Sequence, residues 1–239
     1  MKKSLCLLGV VVVLSGLLSS SALALTPIGV PAATLGRGEF ATGFGFSHSS
    51  IDLKVSAFGI SVIAKDEEID TYMANLIFGL DESVEFQIDL GASHVDIQNM
   101  ESSTDFAGGL VLRFTLAQSE KIKWGIVGSV HWYEASGSGV DFGIPYSEED
   151  SWREFQVAFG PSYKDGALCL YGGPLLHFID GEGEAIVAGV PISGDIEHDS
   201  CLGGFVGANI DLNENTTLGF EYQFTGSAHA ICASIRFAF

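Results

Sequence analysis

The chain has 239 residues, of which 47% are hydrophobic, with 30 glycines, 17 phenylalanines, only 6 prolines and a formal net charge of −19. So acidic a chain excludes nucleic acid as a partner, because phosphate contacts need Lys and Arg. Beyond residue 24 no run of about 18 apolar residues occurs, which excludes a transmembrane helix there.

Lys2 and Lys3 open the chain with positive charge, Leu5 to Leu18 follow as an apolar stretch, and Ala22-Leu23-Ala24 supplies a small-x-small site. This is the pattern of a cleavable export leader over residues 1–24. Processing removes Lys2 and Lys3 and takes the formal charge from −19 to −21. An uncleaved anchor is the other reading of the stretch, and Cys6 has no lipobox around it. Residues 25–37 read as a periplasmic N-terminal segment and residues 38–239 as the folded domain.

From Phe40 onward the dominant signal is a period of two, the mark of strands with one apolar face. Val84, Phe86, Ile88, Leu90 and Ala92 share one face, while Glu85, Gln87, Asp89 and Gly91 share the other. The alternation recurs ten times. The apolar sets are Phe40, Phe44, Phe46; Tyr72, Leu76, Phe78, Leu80; Leu110, Leu112, Phe114, Leu116; Trp124, Ile126, Val130, Trp132; and Phe155, Val157, Phe159, Tyr163. After them come Leu168, Leu170, Leu176, Phe178; Leu202, Val206, Ile210, Leu212; Leu218, Phe220, Tyr222, Phe224; and Ile231, Ile235, Phe237, Phe239. A soluble lipocalin-like barrel would turn these sets inward. A membrane barrel turns them to lipid and keeps polar groups in the lumen. From Trp124 to Trp132 a tilted strand spans roughly 20 Å, close to an apolar band with an aromatic girdle at each edge.

Connections alternate in length. Asp81 to Ser83, Ala117 to Lys121, Lys164 to Gly166 and Asn213 to Asn215 are short. Those near 50–68, 95–104, 135–150 and 180–198 are long, and only Thr225 to His229 is short on that side. Short periplasmic turns with long outer loops are the membrane-barrel rule. The expected fold is an all-β, transmembrane, antiparallel up-and-down barrel of about ten strands, with eight as the alternative and both termini periplasmic.

Ile231, Ala233, Ile235, Phe237 and the terminal Phe239 alternate to the carboxyl end. This resembles the assembly signal of bacterial outer-membrane proteins. The mature chain resembles, in architecture, the small outer-membrane barrels that include the OmpA-type transmembrane domain, OmpX and OmpW. The resemblance implies residence in the outer membrane after export, contact with its lipid, and recognition of Phe237 and Phe239 by the barrel-assembly machinery. No motif of the enzymes among such barrels, omptin proteases or lipid A deacylases, is present.

Three outer connections repeat a theme: Phe58-Gly59-Ile60 before Asp66-Glu67-Glu68, Phe142 to Pro145 before Glu148-Glu149-Asp150, and Gly189 to Ile192 before Asp195-Ile196-Glu197. Each reads as an apolar tip followed by an acidic stretch, which suggests a duplicated hairpin. The tips Phe58, Ile60, Phe142 and Ile144 would pack on one another or meet an extracellular partner. The acidic stretches supply oxygen ligands of the kind Ca²⁺ or Mg²⁺ takes, without a recognised cation loop.

By parity the lumen receives Glu39, Glu85, Asp89, Glu154, Asp211 and Glu221 together with Arg113, Lys123, Lys164 and Arg236. Charges buried this way should pair, Arg113 with Asp89 and Glu39 with Arg236. A lumen filled by such pairs suits a structural or surface-interaction role rather than a wide porin-like pore, with a narrow cation-preferring channel as the alternative. The six histidines map to the outer half. Turn positions place His131 opposite Glu154 and Glu154 opposite His177, with small neighbours Ala107 and Gly203. Two imidazoles and a carboxylate could hold Zn²⁺ with an open position, or act as a base oriented by a carboxylate in a hydrolase. The bland alternative is a hydrogen-bonded polar lumen. Cys169, Cys201 and Cys232 fall in no disulfide pattern and read as small lumen residues.

Overall fold

The computed structural model describes residues 25–57, 60–96, 101–141, 144–187, 190–198 and 201–239. The strands are β1 (Phe40–Ala57), β2 (Ile60–Asp81), β3 (Val84–Asp96), β4 (Glu101–Ser102), β5 (Thr104–Gln118), β6 (Ile122–Asp141), β7 (Ile144–Asp165), β8 (Leu168–Val187), β9 (Val190–His198), β10 (Leu202–Asp211), β11 (Thr216–Thr225) and β12 (Ala228–Ala238). All pairings are antiparallel. Going round from β1 through β2, β3, β5, β6, β7, β8, β10, β11 and β12 returns to β1, so ten strands close the barrel. The eight-strand alternative is set aside.

The expected faces are the observed ones. Phe44, Leu90, Phe114, Trp124, Trp132, Phe155, Phe178 and Phe220 are exposed on the outer wall. Their strand neighbours Glu85, Gln87, Asp89, Arg113, Glu154, Gln156 and Gln223 are buried within it. An apolar belt this continuous around a molecule with a charged interior is the inverse of a water-soluble protein, and lipid is the solvent that suits it.

Residues 50–68, 135–150 and 180–198, read from sequence as loops, are mostly hairpin ladder. β6 and β7 stay paired from Ile122↔Tyr163 to Asp141↔Ile144, and β1 and β2 pair out to Ala57↔Ile60. Backbone donors and acceptors above the belt are thus satisfied by strand pairing. The tips at Phe58 and Phe142, and the side chains of Ile60 and Ile144, lie outside the described residues. β9 pairs with β8 on one side and with β1 on the other, through Leu53↔His198 to Ser56↔Asp195. It thereby passes over the short β11–β12 hairpin, whose turn is fixed by the Asp52 amide donating to the Ser227 carbonyl at 2.7 Å.

The segment read as periplasmic, residues 25–37, is largely inside the barrel. Leu25, Thr26, Ile28, Val30, Ala32, Ala33 and Leu35 are buried. The chain leaves the lumen at Gly36–Glu39, where the Gly38 amide donates to the Gly79 carbonyl at 2.8 Å before β1 begins. A segment with little polar side-chain surface and no period of two is thus placed where its apolar groups avoid water.

Candidate functional site

The lumen is organised around this inner segment. Near the short-turn end the Glu85 carboxylate accepts from the Thr34 amide and hydroxyl at 2.9 and 2.7 Å, and from the Leu35 amide. Arg113 donates to Glu85 at 3.2 Å, to Gln87 at 2.8 Å and to the Ile28 carbonyl at 2.9 Å. Lys123 donates to the Ala33 carbonyl, and Arg236 to the Thr34 hydroxyl. On the opposite wall Glu221 accepts from the Ile28 and Gly29 amides at 2.8 and 2.9 Å. Gln223 donates to the Thr26 carbonyl at 2.7 Å. Wall side chains therefore do for this segment what a neighbouring strand would otherwise do.

Deeper in, β3, β5, β6 and β7 align Asp89↔Gly109↔His131↔Glu154 in one row. Gly109 matters here because a Cβ would overlap the His131 ring. With none present, the ring crosses an entire strand and its Nε2 lies 3.1 Å from Asp89 Oδ2. His131 Nδ1 is 4.0 Å from Glu154 Oε2. His177 lies opposite Gln156, two residues from the expected register, yet its Nε2 still reaches Glu154 Oε1 at 3.0 Å along the diagonal. Gln156 Nε2 and the Tyr133 hydroxyl donate to Glu154 at 2.6 and 3.1 Å, and the Thr26 hydroxyl donates to it as well. His131, Glu154 and His177 are each 0% exposed.

The trio expected from sequence is therefore assembled, with one nitrogen of each histidine against a carboxylate. Among the described residues no three His, Cys, Asp or Glu converge as metal ligands. A general base of the kind sketched from sequence would need a substrate path, and Thr26 stands against Glu154.

A search for matching protein-family models finds none, and no curated protein matches in sequence. Among solved structures the chain resembles the outer membrane protease OmpT of Escherichia coli, with 8% identity and a TM-score of 0.56 over 92% of this chain and 100% of that one. It also aligns with the translocator domain of the autotransporter NalP from Neisseria meningitidis, at 10% identity and a TM-score of 0.49, over 86% of this chain and 90% of that one. Such identities concern fold alone. The chain has the fold of a small bacterial outer-membrane β-barrel.

Several lumen residues of this outer-membrane-type barrel differ from the parity expectation. Glu39 is exposed at the mouth and accepts from the Gly36 amide at 2.7 Å, because the segment turns there before β1 starts. It does not meet Arg236. Arg113 pairs with Glu85, its partner in the β3–β5 register, while Asp89 is taken by His131. Lys164 is largely exposed and bridges Asp211 at 2.9 Å on the rim rather than in the interior. Beside the trio it is Gly109, rather than the expected Ala107 and Gly203, that makes room, and the His131 ring fills that room. Cys169, Cys201 and Cys232 are free, as expected, but Cys201 is exposed and fills no lumen space.

Beside Arg113 and the inner segment lies a cavity of about 90 Å³, lined in part by Gly45, Asn75, Gly219 and Ser234. At roughly 10–15 Å³ of such volume per water, it has room for a handful of waters.

Proposed function

We propose that the protein is an exported outer-membrane barrel that does not conduct and acts by presenting its protruding hairpins at the cell surface, in a structural or interaction role. The observation that carries this reading is the occupied lumen. Residues 25–35 run through it, bonded to Glu85, Arg113, Glu154 and Glu221 on different walls. The alternating short and long connections support an orientation with the hairpin ends outside the cell. There the outer wall changes character within two residues of Trp132. The row Glu134↔Ser151↔Glu182↔Asp195 is polar and exposed, above a belt of Val130, Phe155 and Phe178.

The leader pattern over residues 1–24 supports export, and the aromatic carboxyl end supports recognition by the assembly machinery. Conductance of the purified full chain in a planar bilayer tests the central claim. Silence over many insertions is expected. Reproducible discrete openings would instead establish the cation-preferring channel, for which the carboxylate-rich lumen is the support.

A further inference from the structure

The Glu154 carboxylate is fully buried, and no Lys or Arg side chain pairs with it or with Asp89 among the described residues. By contrast, Glu85 at the other end of the lumen has Arg113. Ionised carboxylates without a cation are costly in such surroundings, and among the described residues the basic groups that reach them are the imidazoles of His131 and His177. One further cation is available from the chain itself. The Thr26 amide nitrogen lies 3.4 Å from Glu154 Oε1. Successive backbone nitrogens are separated by about 3–4 Å, so the nitrogen of Leu25 is no more than about 7 Å from that carboxylate. Leu25 is itself 0% exposed. It is also the residue that the Ala22-Leu23-Ala24 pattern leaves first once the leader is removed.

From these coincident observations we infer that the processed N-terminus is an internal ligand of the barrel, the α-ammonium of Leu25 occupying a cation site at Glu154. Hydrolysis of the Ala24–Leu25 bond by a leader peptidase consumes one water and leaves a carboxylate on Ala24 and an amine on Leu25. That amine takes up a proton at neutral pH. Processing thus supplies a cation at the end of the lumen where Glu154 and Asp89 have no Lys or Arg partner among the described residues. Attached to its leader, the same nitrogen is a neutral amide. This inference rests on the filled-lumen reading of the preceding section.

The test uses the full protein extracted from membranes. Its intact mass should correspond to a chain starting at Leu25. Acetylation with a water-soluble succinimidyl reagent, read by peptide mapping, should modify the Leu25 amine at least tenfold more slowly in the folded barrel than in urea. Glu154→Gln should speed the folded-state labelling several-fold. If that variant does not fold, a four-residue Ser-Gly-Ser-Gly insertion between Ala24 and Leu25, which carries the new amine away from Glu154, should restore rapid labelling. A different mature start, or a Leu25 amine labelled equally fast folded and unfolded, overturns the inference. So does a folded Glu154→Gln barrel, or a folded insertion variant, that labels as slowly as wild type. These outcomes are separate from conductance. A labelled amine in a silent barrel removes the ammonium site and leaves the proposed function standing, whereas discrete openings remove the proposed function.

Discussion

Thr26 donates its hydroxyl to the carboxylate of Glu154 across 128 residues of sequence, at the deep end of the lumen segment. Gln156, Tyr133 and His177 hold the same carboxylate from the wall. The contact therefore couples the position of the segment to the state of the histidine row. Thr26→Val keeps the shape and removes the donor. Leaving a buried acceptor short of one hydrogen bond costs about 1–3 kcal/mol. Urea unfolding in detergent micelles, followed by tryptophan fluorescence, should show a loss in that range. An unchanged midpoint would mean that the segment is not docked at Glu154.

The Gly109–His131 relationship gives a sharper structural test. Gly109→Ala places a methyl where the imidazole lies. The ring must move, and its 3.1 Å approach to Asp89 with it. Overpacking of a filled interior costs typically 1–3 kcal/mol. Gly128, one strand position from Val127 on the same β6, has open space where its Cβ would be. Gly128→Ala should therefore be near neutral in the same assay. Equal effects of the two substitutions would show that His131 does not cross to Asp89.

The lipid-facing belt predicts a depth-dependent penalty. Val157 is exposed on the outer wall between Gly128 and Leu176 in the pairing rows, well inside the belt. Val157→Arg should cost roughly 2–4 kcal/mol for insertion into phospholipid vesicles, the range for a cation near the bilayer midplane. Glu182→Arg, on the polar wall two rows above Phe178, should cost close to nothing. Equilibrium folding into vesicles, titrated with urea, compares the two directly. Equal small effects would show that the belt does not face lipid.

Much of this arrangement was legible in the chain because a membrane barrel has few ways to vary. Once Phe86, Ile88 and Leu90 face out, Glu85, Gln87 and Asp89 must face in, and the strict period of two carries that parity from turn to turn. The His131↔Glu154 pair followed from the hairpin tip alone. The β7–β8 register did not. The sequence suggests a turn centred on Asp165-Gly166, but the structure pairs Asp165 with Leu168. The two turn residues are then Gly166 and Ala167, with φ of 61° at Gly166. A one-residue shift of a turn moves the register by two, which is why His177 meets Glu154 diagonally.

Residues 25–37 carry a signal of another kind. Leu-Thr-Pro-Ile-Gly-Val-Pro-Ala-Ala-Thr-Leu has no alternation, and its prolines argue against a strand. Its available signal was chemical. An apolar, uncharged stretch in so acidic a chain needs cover, and Thr26 and Thr34 near its ends are the polar groups that meet Glu154 and Glu85. Asp89 as the partner of His131 was equally invisible, because the two lie on strands separated by β5 and only an absent side chain at Gly109 joins them.

The carboxyl end supports a last prediction that separates stability from assembly. Phe239 stacks on Phe40 with ring centroids 5.1 Å apart, and its amide donates to the Phe40 carbonyl at 2.9 Å. The stack helps hold the seam where β12 meets β1, beneath the Ala41↔Ala238 pair. Phe239→Ala keeps the backbone bond and loses the ring contact, worth about 0.5–1.5 kcal/mol beyond burial. Chain refolded in detergent should therefore close normally, with only a modest drop in its urea midpoint. If the alternating aromatic end is also what the assembly machinery reads, the same substitution in cells should lower the amount of folded, heat-modifiable barrel in the outer membrane far more than that drop explains. Unfolded chain should accumulate in the periplasm. Normal levels in the membrane together with the small loss in vitro would assign Phe239 to seam packing alone.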